Sequence, residues 1–272
     1  CAAYLGTATL TTTHEARMKL GFVTYQIGKD WDVQQIIEKC QATGFEGAEL
    51  RTTHAHGVEI SLSAEERSTV RKQFEDAGVE IAGLGSSFDY HAVDASAVQE
   101  SISGTIEYAR LAADLGCQGI KVRPNGLQTD NGIPEEKTLE QIGLALGECG
   151  KATADLGVQI RVEVHGKETK EPRRMRAIMD HADHDNVAFC WNSNFDEVGE
   201  DGTIQNAWDL MGHEIGLVHI TELCKPEYPW RELFAKLKSI GYRGYTLAEI
   251  PGSEDAERLM RYYRALWLAY QN

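Results

Sequence analysis

The chain has 272 residues, 42% hydrophobic and 25% charged, with 26 glycines and 6 prolines. That composition excludes a collagen-like repeat, a coiled coil and a disordered tail, and the length allows one large α/β domain or two small ones. With 27 Lys and Arg against 42 Asp and Glu the formal net charge is −15; no basic run offsets it, so nucleic acid is disfavoured as a partner, and no apolar run reaches the roughly 18 residues of a transmembrane segment.

The first stretch, Cys1 to Leu10, is small and apolar and gives way to Thr-Thr-Thr-His-Glu-Ala. It reads as a tail of residues 1–17, the remnant of an export signal whose charged start is missing, with a lipid-modified Cys1 as a variant of that reading. The export reading implies a periplasmic or otherwise exported protein; a start at Met18 implies a cytoplasmic one.

From Lys19 onward, strand-like runs alternate with amphipathic helical ones. Leu20 to Tyr25 is a strand and Asp32 to Ala42 a helix; Ala48 to Arg51 is the second strand, followed by a helix opened by the capping box Ser63-Ala-Glu-Glu66. Val79 to Leu84, the helix Asp94 to Leu115, the strand Gly119 to Arg123 and the helix Glu135 to Leu156 come next. Val158 to His165 is the fifth strand, followed by Arg173–Ala182, Val187–Asn192, Thr203–Met211, Leu217–Thr221, Trp230–Ile240, Tyr245–Ile250 and Glu254–Tyr270. Gly44-Phe-Glu-Gly47, Gly116-Cys-Gln-Gly119 and Gly241-Tyr-Arg-Gly244 repeat one junction, the first glycine suited to a left-handed helix cap and the second to close helix–strand packing. Eight βα units without a Pro- or Ser-rich linker predict a single closed (β/α)8 TIM barrel over residues 18–272. A doubly wound open sheet would want a glycine-rich phosphate loop after an early strand, and Tyr25-Gln-Ile-Gly-Lys29 is not one.

In such a barrel alternate strand residues face the interior, and chemistry collects at the C-terminal ends of the strands. On the fifth strand Ile160, Val162 and Val164 then face the helices and Arg161, Glu163 and His165 the interior. The same parity turns Glu49, Arg51, Lys121, Arg123, Asn192, Asn194, His219, Thr221 and Glu249 inward. Glu163, His219 and Glu249, with Asn192 or His165 between them, form an oxygen-rich set with an imidazole that suits Mn²⁺, Mg²⁺, Co²⁺ or Zn²⁺. A single strand carboxylate is as well read as part of a buried ion-pair layer, with Arg161, Lys121 or Arg123 as partner; the convergence of ligand types favours a site. His54 and His56 on the second βα loop face the mouth as candidate metal or substrate contacts, or are merely solvated. His14, His181, His184 and His213 fall on the tail or the outer surface, and most of the six scattered cysteines read as buried free thiols.

Val162-Glu163-Val-His165-Gly166, Cys190-Trp-Asn192-Ser-Asn194, Val218-His219-Ile and Leu247-Ala-Glu249-Ile resemble the xylose isomerase-like TIM barrels, a family that includes sugar-phosphate isomerases and ketose 3-epimerases. The resemblance covers nearly all of the chain from Met18. It implies that Glu, Asp, His and Glu from these strands hold one divalent cation and that the two glutamates exchange protons with the substrate. Glu163, His219 and Glu249 match; Asn192 stands where the family usually has Asp, and Phe195 where its Asp-x-x-His pattern has His. Asn removes one negative charge, which implies weaker ion binding or recruitment of His165 to the shell.

The expected chemistry is sugar isomerisation or epimerisation by proton abstraction beside a carbonyl, through a metal-stabilised enediolate. Glu163 and Glu249 are the candidate acid/base pair and His165 a candidate proton shuttle. Lys121 and Arg123, with Asn194, His54 and His56, are the candidate substrate contacts, and Trp191 and Phe195 either pack on a sugar ring or belong to the core. With few cations in one cluster, a neutral or keto sugar fits the mouth better than a bisphosphate. The alternatives are a lyase acting on a 3-keto-glycoside with the same metal and base, a non-catalytic sugar-binding barrel, and a phosphodiesterase, against which the acidic charge argues. The C-terminal helix is apolar on more than one face, which suits either a cover for the barrel or the contact of a homo-oligomer.

Overall fold

Short apolar runs, each closed by a polar turn, form eight parallel strands among the described residues, 17–271, of the computed structural model. They are β1 (Lys19–Val23), β2 (Gly47–Arg51), β3 (Glu80–Gly85), β4 (Gly119–Val122), β5 (Gln159–Glu163), β6 (Val187–Asn192), β7 (Ile215–Ile220) and β8 (Tyr245–Ala248). The helices α1 (Val33–Thr43), α2 (Ala64–Ala77), α3 (Ala95–Asp114), α4 (Glu135–Thr153), α5 (Pro172–Ala182), α6 (Gln205–Met211), α7 (Trp230–Ser239) and α8 (Ala256–Tyr270) alternate with them. Each strand pairs with its sequence neighbours, and β1 pairs with β8 to close the barrel. The open-sheet alternative is thereby excluded. The reading of Cys1 to Ala16 as an export remnant lies outside the described residues.

The predicted helix starts rest on real caps. Ser63 and Glu66 form the reciprocal capping box of α2, and Asp32 with Gln35 forms a second one at α1. Strand ends shift by one or two residues where a side chain takes over the ladder. At the end of β1 the Thr24 hydroxyl accepts the Arg51 backbone N–H while the Thr24 N–H still donates to the Glu49 carbonyl.

The first glycine of each repeated junction is left-handed, with φ of 75° at Gly44, 74° at Gly116 and 68° at Gly241. The second has a different role from the one expected. A Cβ at Gly47 would lie 2.7 Å from the Tyr245 hydroxyl, and one at Gly119 would overlap the Arg161 guanidinium. These glycines empty the barrel floor so that Tyr245 and Arg161 can fill it, the small-against-large packing a closed barrel needs. Tyr245 packs with Val23, Ala82, Cys190, Leu217 and Leu247 in a small inner core. The larger core lies between strands and helices, with Ile160, Val162 and Val164 buried on that side as the parity predicts. Cys40, Cys117, Cys149 and Cys190 are buried free thiols and Cys224 is exposed. The C-terminal helix covers the barrel: Trp267 Nε1 donates to Thr246 Oγ1 at 2.8 Å, and the Tyr263 hydroxyl donates to the Ile220 and Thr221 carbonyls.

Candidate metal centre and barrel mouth

At the C-terminal ends of the strands a cavity of about 310 Å³ is lined by Arg51, Lys121, Arg123, Glu163, His165, Asn192, Asn194, His219, Thr221 and Glu249, with Val23, Tyr25 and Gln26 from the first strand and its loop. Every one of these polar side chains on β2 and β4 to β8, or one or two residues past them, was placed inward by strand parity. Where each strand ends decides how deep it sits: His219 and Glu163 are buried within β7 and β5, whereas Glu249, one residue past β8, keeps a partly exposed side chain.

One ligand atom each from Glu163, His219 and Glu249 lies within 4.8 Å of the others. His219 Nδ1 is 3.6 Å from both Glu163 Oε1 and Glu249 Oε2 and has no hydrogen-bond partner. Its Nε2 lies 3.2 Å from Glu49 Oε2, and Glu49 is fully buried. An ionised carboxylate only accepts, so Nε2 donates to Glu49, and Nδ1 is the nitrogen turned toward the two glutamates, where a cation would take the place of its proton. Asn192 Nδ2 donates to Glu163 Oε1 at 3.0 Å, while Asn192 Oδ1 is buried without a partner. An unpartnered imidazole nitrogen, two carboxylates and an unpartnered amide oxygen in one buried spot fit a divalent cation.

Charge in the site is strongly shifted. Burial pushes the Glu163 carboxyl up, but Lys121 and then His219 outweigh it and hold it well below the usual carboxylate range. The Lys121 ammonium is 2.8 Å from Glu163 Oε2 and itself buried. Burial raises Glu249, with His219 only partly opposing it. Burial also works against a charged His219, but the Cys190 sulfur and the Glu49 carboxylate outweigh it and raise its pKa well above the ordinary imidazole value. His165 is pushed down, first by burial and then by the cations Arg123 and Lys121, with Glu163 opposing.

Several expected contacts lie elsewhere. His56 is saturated by its own loop, its Nε2 donating to the Arg51 carbonyl and its Nδ1 accepting from the Val58 N–H. His54 sits 2.9 Å from Thr24 Oγ1 through Nδ1 and stacks on Tyr25, and burial, then His56, pushes it down to about 4. Neither lines the cavity. Trp191 and Phe195 face away from it too: Trp191 is in the core, its Nε1 donating to the Tyr228 hydroxyl, and Phe195 meets the Tyr228 ring edge-on at 5.4 Å. Lys121, read from the sequence both as a substrate contact and as a possible ion-pair partner of Glu163, lines the cavity while its ammonium pairs with that buried carboxylate. Asn194 does reach the cavity while donating to the Val164 carbonyl at 2.6 Å.

Two features escaped the sequence. Glu49 was placed inside the barrel, but its pairing with His219 crosses from β2 to β7, and no spacing along the chain encodes a cross-barrel neighbour. Gly166 closes the Glu-x-His-Gly run because φ is 99° there and any Cβ would collide with the Asn125 carbonyl. That close approach joins the loops after β4 and β5, which carry Arg123 and His165.

A profile of the xylose isomerase-like TIM barrel family matches residues 37–266. No curated protein sequence matches the chain. Among solved structures it is similar to D-psicose 3-epimerase with D-tagatose from Clostridium cellulolyticum H10, at a TM-score of 0.79 and 16% identity over 94% of this chain and 100% of that one. The apo form of 3-keto-D-glucoside 4-epimerase from E. coli gives 0.75 and 16% over 93% and 99%. The IOLI protein with a bound zinc atom gives 0.72 and 15% over 93% and 98%.

Proposed function

The chain belongs to the xylose isomerase-like TIM barrel family, and on that premise we propose that it is a sugar isomerase or epimerase that moves a proton on the carbon beside a carbonyl. The observation that carries this reading is the convergence of Glu163, His219 and Glu249 within 4.8 Å at the bottom of a sugar-sized mouth. Glu163, His219 and Glu249 would hold a divalent cation, with Asn192 beside them, and Glu49 would keep the His219 ring in register. When bound, the ion supplies Lewis-acid polarisation of the substrate carbonyl.

The chain's own residues do the rest. Glu163 and Glu249 stand on β5 and just past β8, on different sides of the mouth, so one carboxylate takes the proton from one face and the other returns it. Lys121, held against Glu163, places positive charge next to the developing enediolate. His165, lining the same cavity with an unpartnered Nδ1, is the shuttle available to solvent-side oxygens.

His165 also favours a second reading. It offers an acid for a leaving glycosidic oxygen in addition to the two glutamates, as elimination from a 3-keto-glycoside could use, and one similar structure is named as a 4-epimerase of a 3-keto-D-glucoside. Both readings are tested together. The Mn²⁺- or Co²⁺-loaded protein is incubated in D₂O with ketoses, aldoses and 3-keto-glycosides and followed by NMR. Deuterium incorporation without cleavage is expected, and is abolished in E163Q; release of the aglycone moves the assignment to the lyase. If the metal is bound and neither exchange nor cleavage is seen, the proposal is overturned.

A further inference from the structure

Resting on the reading of this mouth as a sugar site, we propose that the substrate carries one anionic group, a carboxylate or a phosphate, received by Arg51 and Arg123. The expectation from sequence was a mouth with few cations in one cluster. The structure brings Arg51, Lys121 and Arg123 into a single cavity.

Arg51 ends β2 and Arg123 follows β4, with β3 between them. That intervening strand ends in Gly85, where a Cβ would come within 2.7 Å of Glu49 Oε1 and 3.2 Å of Arg51 Cδ. The absence of a side chain on β3 is what lets the Arg51 stem lie over the strand end.

Neither guanidinium has a carboxylate within ion-pair distance among the described residues. Arg51 makes one long contact, Nη1 to the Thr52 carbonyl at 3.5 Å, and Arg123 donates Nη2 to the Ser87 carbonyl at 3.1 Å. Arg123 Nε is buried and unpartnered. The nearby acids are taken: Asp89 by His91 at 3.2 Å and Asn125 at 3.1 Å, Glu59 by the Thr52 hydroxyl at 2.9 Å. In a chain with a net charge of −15, where Arg67, Arg174 and Arg176 all find carboxylates, two sheltered arginines with donors to spare at the mouth suit an anion from outside.

The charge balance of the site gives the same result. Glu49, Glu163 and Glu249 are matched by Lys121 together with one divalent cation, so the loaded centre leaves no spare carboxylate charge for the two guanidiniums. A planar or tetrahedral oxyanion on the sugar takes that charge in forked hydrogen bonds. The cavity, about 310 Å³, is at the small end for ligand sites, which suits a monosaccharide with a single such group.

The test is calorimetric binding to the Mn²⁺-loaded protein of D-fructose, D-fructose 6-phosphate and D-fructuronate, which share a carbon skeleton and differ in charge. One of the two anions should bind about ten-fold or more tighter than D-fructose, and which one does tells phosphate from carboxylate. R51Q and R123Q should each reduce that preference toward unity, and R123K, which keeps the charge but loses the fork, should retain part of it. Circular dichroism of each variant separates a lost subsite from a lost fold, and R123K carries the test if R123Q does not fold. Equal affinity for all three sugars, no binding of any, or a preference untouched by folded R51Q and R123Q overturns the proposal. Binding is read apart from turnover: anion preference without deuterium exchange upholds this subsite and removes the proton-transfer reading, and exchange on D-fructose without anion preference does the reverse.

Discussion

Replacing Lys121 with Met tests the charge logic of the site directly. The Lys121 ammonium is the buried cation that faces Glu163, 2.8 Å away, and both side chains are almost fully enclosed. At an effective dielectric of about 20, an attraction across that distance is about 6 kcal/mol, and the dehydration of the ammonium offsets part of it. Methionine fills similar volume but removes the cation that lowers Glu163 most, leaving the weaker help of His219 against Glu49 and Glu249. K121M should therefore lose about 3–5 kcal/mol of stability in the presence of a chelator. A divalent cation supplies the missing charge at the same carboxylate, so saturating Mn²⁺ should recover most of the loss. At about 100 times its dissociation constant, an ion that binds only the folded state adds about 2.7 kcal/mol. The assay is urea denaturation of wild type and K121M, each in chelator and in Mn²⁺, with the metal-induced gain expected to be larger in the variant. A loss below about 1 kcal/mol in chelator, or a metal-induced gain no larger than in wild type, refutes the reasoning.

Two further outcomes follow from particular side chains. Asn192 donates to Glu163 at 3.0 Å, so N192D removes a hydrogen bond and sets a second carboxylate beside the first. The metal-free protein should lose about 1–3 kcal/mol while calorimetry finds Mn²⁺ bound about ten-fold or more tighter; unchanged affinity would show that this position does not reach the ion. Glu197, in the loop after β6, accepts from the Tyr228 hydroxyl at 2.8 Å, and burial pushes its pKa up to about 7. Between the ordinary carboxylate pKa and that value the folded state holds the extra proton. Its contribution is therefore present in acid and is lost as pH rises, by an amount that reaches about 3 kcal/mol above pH 7. Stability of E197Q relative to wild type, measured by denaturation at pH 5 and pH 8, should rise by that order between the two; a pH-independent difference refutes it.

What the sequence by itself determined was local. Period-two alternation on β5 separated Ile160, Val162 and Val164 from Arg161 and Glu163, and helix caps such as Ser63 with Glu66 marked boundaries, because both patterns are set by neighbours a few residues apart. Eight such units and the acidic composition were enough for the barrel and for which side chains point inward. Distances across the barrel were not legible, since residues 170 positions apart, such as Glu49 and His219, meet only through closure of the sheet. Parity offers Arg161, Lys121 and Arg123 alike as partners for Glu163, and only the tertiary structure selects Lys121; the self-saturated ring of His56 and the use of Gly47 and Gly119 to clear the floor for Tyr245 and Arg161 are decided in the same way. The −15 charge reads from composition as a uniformly acidic protein; tertiary structure alone decided that two unpaired guanidiniums gather at the mouth, because charge sign is a property of the chain and charge pairing a property of three-dimensional neighbours.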